Sequence, residues 1–191
     1  MHRLDVGHLQ YGSVLLIVLF FNLCEWEAMP FLRWFAFGAM VCLTVHALID
    51  LKRVTHQSVL VSGRRGQLWA QESDGVLDFL QRHTAPGDNV FIYPYLPRYY
   101  FWADVKNPTR FSVLLYHFNP AADFQEAVRN LETERVKYVL WCVVFSGNNL
   151  QGVFPAYRHP PRAELIMEPY LESRYHQIGF AQGVRILERN Q

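Results

Sequence analysis

Two long apolar runs stand near the start of the chain, and neither contains a charged residue. The first covers residues 13–24 and the second covers residues 34–49. Neither run shows the 3.6-residue periodicity that is typical of a surface helix in a globular protein. A helix that crosses a bilayer needs about 20 mostly apolar residues, with about 17 as the lower limit. The pattern therefore predicts a hairpin of two transmembrane helices in residues 1–53, the second of which reaches that limit when Leu32 and Leu51 are included.

The first 53 residues also admit other interpretations. A pair of helices buried in a protein core is the main alternative to a membrane hairpin. A cleaved signal peptide is disfavoured, because no small-x-small cleavage site follows Leu23 and a second apolar run does. Basic residues after the second run, such as Lys52 and Arg53, favour a cytoplasmic location for the remainder of the chain, although long domains cross a membrane despite flanking charge.

The rest of the chain alternates apolar runs with amphipathic stretches. Residues 89–93 are predicted to form a short buried strand, and residues 138–145 are apolar throughout, which is typical of a strand covered on both faces. An amphipathic helix is predicted between them, over residues 119–135. Alternating strands and helices indicate a small α/β domain with a mixed sheet in residues 70–191, which a linker over residues 54–69 joins to the N-terminal hairpin.

Composition narrows the function classes. The 191 residues are 51% hydrophobic and 15% aromatic, which argues against disorder, and the formal net charge of +1 gives no support for binding nucleic acid. The eight His and three Cys show no metal-ligand spacing. No glycine loop for phosphate and no Gly-x-Ser-x-Gly nucleophile motif occurs in the sequence. We therefore predict no metal and no cofactor.

Two groups of residues are candidates for binding a ligand. One group lies before the first apolar run, and its two basic residues on either side of an acidic one are suited to hold a phosphate. The other group is a run of tyrosines with nearby arginines, which is suited to stack on sugar rings and to pair with phosphate. The alternative for the first group is an ordinary polar segment beside the apolar run, and the alternative for the second is a set of aromatic residues in the protein core. The first group is Arg3, Asp5 and His8, and the second is Tyr95, Arg98, Tyr99, Tyr100 and Arg110.

Several stretches resemble the extracytoplasmic C-terminal domain of bacterial polytopic glycosyltransferases of the dolichyl-phosphate-mannose type, which are family 39-like enzymes of the GT-C fold. Residues 3–9, Arg-Leu-Asp-Val-Gly-His-Leu, are similar to a segment that precedes the last membrane helices of such enzymes. The other positions that carry the resemblance are residues 76–80, 85–94, 99–101, 107–110, 131–132, 136–139, 170–171, 175, 179–180 and 186–189.

The resemblance implies transfer of a sugar from a polyprenyl-phosphate carrier on the outer side of a bacterial inner membrane. In this family the catalytic carboxylate lies in the first extracytoplasmic loop. Glu25 and Glu27 follow the first apolar run but do not match that position, so no catalytic residue is assigned. We therefore expect a membrane-anchored C-terminal portion of a glycosyltransferase that is inactive alone. Its implied partners are membrane lipid, a polyprenyl-phosphate sugar and a separately encoded N-terminal membrane segment.

Two other functions stay open at this point. The first is a membrane-anchored α/β module that binds a partner and has no catalytic activity. The second is a soluble enzyme in which the two apolar runs form buried helices.

Overall fold

The computed structural model describes residues 30–56, 58–70, 72–152 and 154–191. The chain divides into two compact units, Met1–Gln57 and Ser58–Gln191. The described part of the first unit is one helix, α1 (Pro30–His56). Large apolar side chains are exposed along it: Phe31, Trp34, Phe35, Phe37, Val41, Leu43, Val45, Leu48 and Ile49.

The prediction of two transmembrane helices is wrong for the part of the chain that the structure describes. No helix in that part is both long enough and apolar enough to cross a membrane. In α1 the uncharged stretch, residues 34–49, is only 16 residues long and lies between Arg33 and Asp50. That length falls short of the lower limit of about 17 residues. The first predicted helix lies in residues 1–29, outside the described residues.

The second unit is built on a four-stranded mixed sheet, which confirms the prediction of a small α/β domain with such a sheet. Its strands are β3 (Val90–Tyr93), β4 (Tyr138–Cys142), β5 (Tyr175–Ala181) and β6 (Val184–Arg189), in the order β3-β4-β6-β5. Strands β3 and β4 are parallel, and β6 runs antiparallel to both β4 and β5. Every residue of β3 and β4 is buried, as their continuous apolar sequence predicts for strands covered on both faces.

Helices cover the sheet on both faces, so that two cores form. On one face Phe91, Tyr93, Val139 and Trp141 pack with helices α4 (Ala121–Thr133) and α5 (Met167–Arg174). On the other face the alternate strand residues pack with α2 (Gly75–His83) and α3 (Arg98–Trp102). Because successive side chains of a strand point to opposite faces, a single strand such as β4 contributes to both cores.

Most of the segment that was predicted to be a linker, residues 54–69, forms structure. It contains the end of α1 and the hairpin of β1 (Val59–Gly63) with β2 (Gly66–Ala70). Val61 of β1 is buried in the same core as α2 and α3. The chain is close-packed at the turn, where a Cβ on Gly63 would lie 2.7 Å from the carbonyl oxygen of Trp102.

Arg64 in the hairpin turn explains why a polar, glycine-containing segment is ordered here. Its guanidinium donates hydrogen bonds to the carbonyl oxygens of Gln81 (3.0 Å) and Ala103 (2.7 Å), and also to that of Thr84. These carbonyls lie at the C-terminal ends of α2 and α3, which lack intrahelical donors and carry partial negative charge. One cation therefore joins the hairpin to two helix ends.

We expect Arg64→Ala to lower the free energy of unfolding by about 2 kcal/mol, because it removes several charge-assisted hydrogen bonds at once. Arg65→Ala is the matched control: the Arg65 side chain is exposed and its ion pair with Asp104 lies at the surface, where such pairs contribute about 1 kcal/mol or less. Urea unfolding followed by circular dichroism measures both variants. Equal effects of the two substitutions would contradict the proposed role of Arg64.

Candidate functional site

A pocket of about 380 Å³ lies where β4 ends. In α/β sheets, ligands bind in the crevice outside the carboxyl ends of the parallel strands, and β3 and β4 form the parallel pair of this sheet. Two segments form its walls, one following β4 and one leading into α5. The lining residues are Trp141, Val143, Ser146, Gly147, Asn149, His159, Pro160, Arg162, Leu165, Glu168, Pro169 and Glu172.

Glu168, in the first turn of α5, is the buried acidic residue of this pocket, with 7% of its surface exposed. Tyr93 donates its hydroxyl hydrogen bond to one carboxylate oxygen (2.5 Å), and Tyr116 donates to the other (2.7 Å). The Tyr116 hydroxyl oxygen in turn accepts the backbone N–H of Ile166 at 2.8 Å. The carboxylate is therefore held by two phenols that come from β3 and from the segment before α4.

The two tyrosines stay protonated over the physiological range. Burial raises the pKa of Tyr93 well above its usual value, and the negative charge of Glu168 raises it further. Burial followed by the charge of Glu168 also raises the pKa of Tyr116. Because a phenol must keep its proton to donate a hydrogen bond, both side chains remain donors to Glu168.

An ion pair also lines the pocket, nearer to solvent than Glu168. Arg162 donates to the carboxylate of Glu172 at 3.0 Å, and its side chain is 82% exposed. His159 contacts the Tyr157 hydroxyl through Nδ1 at 3.3 Å, and its ring meets the Tyr116 ring edge to face. These side chains give the pocket both donors and acceptors of hydrogen bonds.

The pocket does not join a nucleophile to a base. The Ser146 hydroxyl donates to the carbonyl oxygen of Cys142 (2.7 Å) and accepts the Trp141 indole N–H (2.8 Å). Within the described ranges, no hydrogen bond links Ser146 to His159, and no group of three or more His, Cys, Asp or Glu side chains is arranged to hold a metal ion. The pocket lining combines apolar surface with hydrogen-bonding side chains.

Two of the predicted binding residues, Tyr99 and Tyr100, have structural partners. Tyr99 is buried, and its hydroxyl donates to the carboxylate of Asp74 at 3.0 Å. Asp74 also accepts the backbone N–H groups of Val76 and Leu77, and it thereby caps α2. The Tyr100 hydroxyl accepts the backbone N–H of Ile92 at 3.0 Å.

The other predicted residues do not meet at one site. Tyr95 is exposed with its ring against Phe145, and the Arg98 guanidinium stacks on the Tyr99 ring. Arg110 instead pairs with Asp123 and Glu126 of α4. None of these residues lines the pocket. Arg3, Asp5 and His8 lie outside the described residues.

The pocket residues were not among the candidates predicted from the sequence, although two signals for them exist. Glu168 follows three apolar residues, 165–167, and a lone acid in such a setting is a signal of a buried carboxylate. Trp141 lies within the predicted buried strand, residues 138–145, and α/β domains bind ligands at the carboxyl ends of their parallel strands.

Comparison of the chain with protein-family models, with curated proteins and with solved structures found no match. The resemblance to the polytopic glycosyltransferases therefore stays a prediction.

Burial raises the pKa of Tyr99 to about 12, and the neighbouring Asp74 contributes to the rise. An unfolded tyrosine loses its proton near pH 10, so the stability that Tyr99 contributes is complete below about pH 10 and is lost as the pH rises towards about 12. At about pH 8 we expect Tyr99→Phe to lower the free energy of unfolding by about 1 kcal/mol through the lost hydrogen bond.

At about pH 11 this difference between the wild-type chain and Tyr99→Phe becomes smaller, because only the wild type is destabilised by ionisation of Tyr99. Guanidinium unfolding at the two pH values measures it. A difference that stays constant with pH would contradict the assignment.

Proposed function

We propose that the α/β domain, Ser58–Gln191, is the sugar-recognising part of a glycosyltransferase that takes its sugar from a polyprenyl-phosphate carrier, and that the chain does not catalyse transfer alone. The observation that carries the proposal is the pocket at the end of β4, with Trp141, His159, Arg162 and Glu168 in its lining.

The side chains of the pocket match the chemistry of a sugar ring. Each sugar hydroxyl both donates and accepts hydrogen bonds; Glu168 and Glu172 supply acceptors, and Arg162 and Asn149 supply donors. Apolar surface from Trp141 and the prolines suits the C–H faces of a ring. A volume of about 380 Å³ falls within the usual range of small-molecule sites, about 300–1,000 Å³.

The resemblance to glycosyltransferases supports the same assignment. Tyr93 belongs to the stretch of residues 85–94 that carries the resemblance, and its hydroxyl contacts Glu168 in the pocket wall. Of the other positions that carry the resemblance, Tyr170 and Leu171 lie in α5, and Tyr175, Gly179 and Phe180 lie in β5. Parts of the chain that are similar to the family thus support the pocket.

The geometry of the pocket supports binding without catalysis. Both oxygens of Glu168 accept hydrogen bonds from tyrosines, and the Ser146 hydroxyl is bonded to a backbone carbonyl. In the resembled family the catalytic carboxylate comes from a different segment of the enzyme. Transfer then requires a partner that supplies that segment beside the bilayer that holds the lipid carrier.

The purified chain alone is expected to show no transfer of sugar from a polyprenyl-phosphate donor in detergent micelles. The measurement follows the release of radiolabelled sugar from the lipid phase, with and without a solubilised membrane fraction of the host as the source of the missing segment. Activity that appears only with the membrane fraction is the expected result. Turnover by the chain alone would refute the dependence on a partner.

Arg162→Ala is expected to weaken the binding of a simple hexose, such as glucose or mannose, by about tenfold, because it removes a fork of N–H donors from the pocket mouth. Arg129→Ala is the matched control, since Arg129 is an exposed arginine of α4 that does not line the pocket. Nuclear magnetic resonance titration with the free sugar measures both variants. No binding of any hexose by the wild-type chain would favour the alternative of a non-catalytic interaction module.

A further inference from the structure

Glu168 has hydrogen-bond partners but no cationic partner. In the part of the chain that the structure describes, no Lys, Arg or His nitrogen forms an ion pair with its carboxylate. Glu132, by contrast with Glu168, is more exposed and forms ion pairs with both Arg174 and Arg189. The most buried acid described in this domain is thus held by neutral phenols.

A buried carboxylate without a cation is costly. Removal from water costs several kcal/mol per ion unless an opposite charge or hydrogen bonds replace the lost solvation. The two phenols offset part of that cost without cancelling the charge. Because Glu168 lines the pocket, its uncompensated negative charge is presented to whatever occupies the pocket.

The remaining charges of the pocket do not neutralise it. The lining contains one arginine, one histidine and two glutamates, and the Arg162 guanidinium already pairs with Glu172 at 3.0 Å. Another cation nearby, Arg185, lies over the Trp141 ring at 4.7 Å and bonds to Gln177. Neither arginine is therefore paired with Glu168.

We propose that the pocket binds a sugar that carries an ammonium group, and that Glu168 receives this group. This inference deepens the proposed function and rests on it, since it names the class of sugar. A primary ammonium offers three N–H donors, and an ionised carboxylate has about four lone-pair positions, of which the tyrosines use two. The ligand then completes the ion pair that the chain itself leaves unfilled.

The test is a titration of the full chain with four probes at a pH at which amino groups are protonated: glucosamine, glucose, N-acetylglucosamine and ethylammonium. We expect glucosamine to bind at least about tenfold more tightly than glucose, because the two differ in one ammonium for one hydroxyl. N-acetylglucosamine, whose nitrogen is uncharged, is expected to bind no better than glucose.

Substitutions test whether Glu168 is the residue that binds the ammonium group. Glu168→Gln keeps the size and an acceptor oxygen, and it should abolish the preference for glucosamine while glucose binding remains. Glu164→Gln is the matched control, since Glu164 is exposed in the neighbouring turn and does not line the pocket. Should Glu168→Gln fail to fold, Glu172→Gln is the second variant, which should weaken glucosamine more than glucose.

The outcomes separate this inference from the proposed function. Equal affinity for glucose and glucosamine, or a preference that survives in Glu168→Gln, overturns the ammonium site and leaves sugar recognition standing. Binding of ethylammonium without binding of any sugar overturns sugar recognition and with it the proposed amino sugar, and leaves only a site for a small ammonium ion. Absence of binding by all four probes overturns both.

Discussion

The buried carboxylate of Glu168 is the interaction around which the pocket and one of the two cores are organised. Its two tyrosine donors come from β3 and from the segment before α4, and Glu168 itself belongs to α5. Tyr116 also accepts the backbone N–H of Ile166, so that the start of α5 is fixed by the same group. Three segments distant in sequence must be in place for the carboxylate to receive both hydrogen bonds, and the pocket wall results from that requirement.

The second face of the sheet is organised by backbone carbonyls. Arg64 donates hydrogen bonds to carbonyl oxygens at the ends of α2 and α3. Asp74 caps the start of α2 and accepts a hydrogen bond from the Tyr99 hydroxyl. Charged groups thus close the helix ends on this face, where partial charges are unpaired. The charges of Arg64 and Asp74 are therefore used within the fold.

The sequence predicts the strands that consist of continuous apolar residues. It does not predict segments whose structure depends on a single contact between distant residues. Strands β3 and β4 are evident because both of their faces are buried. The pattern indicates a linker where the hairpin β1–β2 lies, since nothing in it shows that Arg64 bonds to carbonyls 17 and 39 residues further along the chain. Tyr99 and Tyr100 are expected to bind a ligand, but their hydroxyls bond to Asp74 and to the backbone of Ile92.

The choice of partners for Glu168 bears on what the pocket does. An arginine in place of Tyr93 or Tyr116 would form a buried ion pair, and the pocket would then present no net charge from this position. Phenols whose pKa values are raised hold the carboxylate as neutral donors, so they fix its geometry and leave its charge in place. An apolar side chain at position 168 would leave the buried Tyr93 hydroxyl without the acceptor to which it donates here. The carboxylate therefore serves the fold, and the proposed ammonium site depends on the charge that the two phenols leave on it.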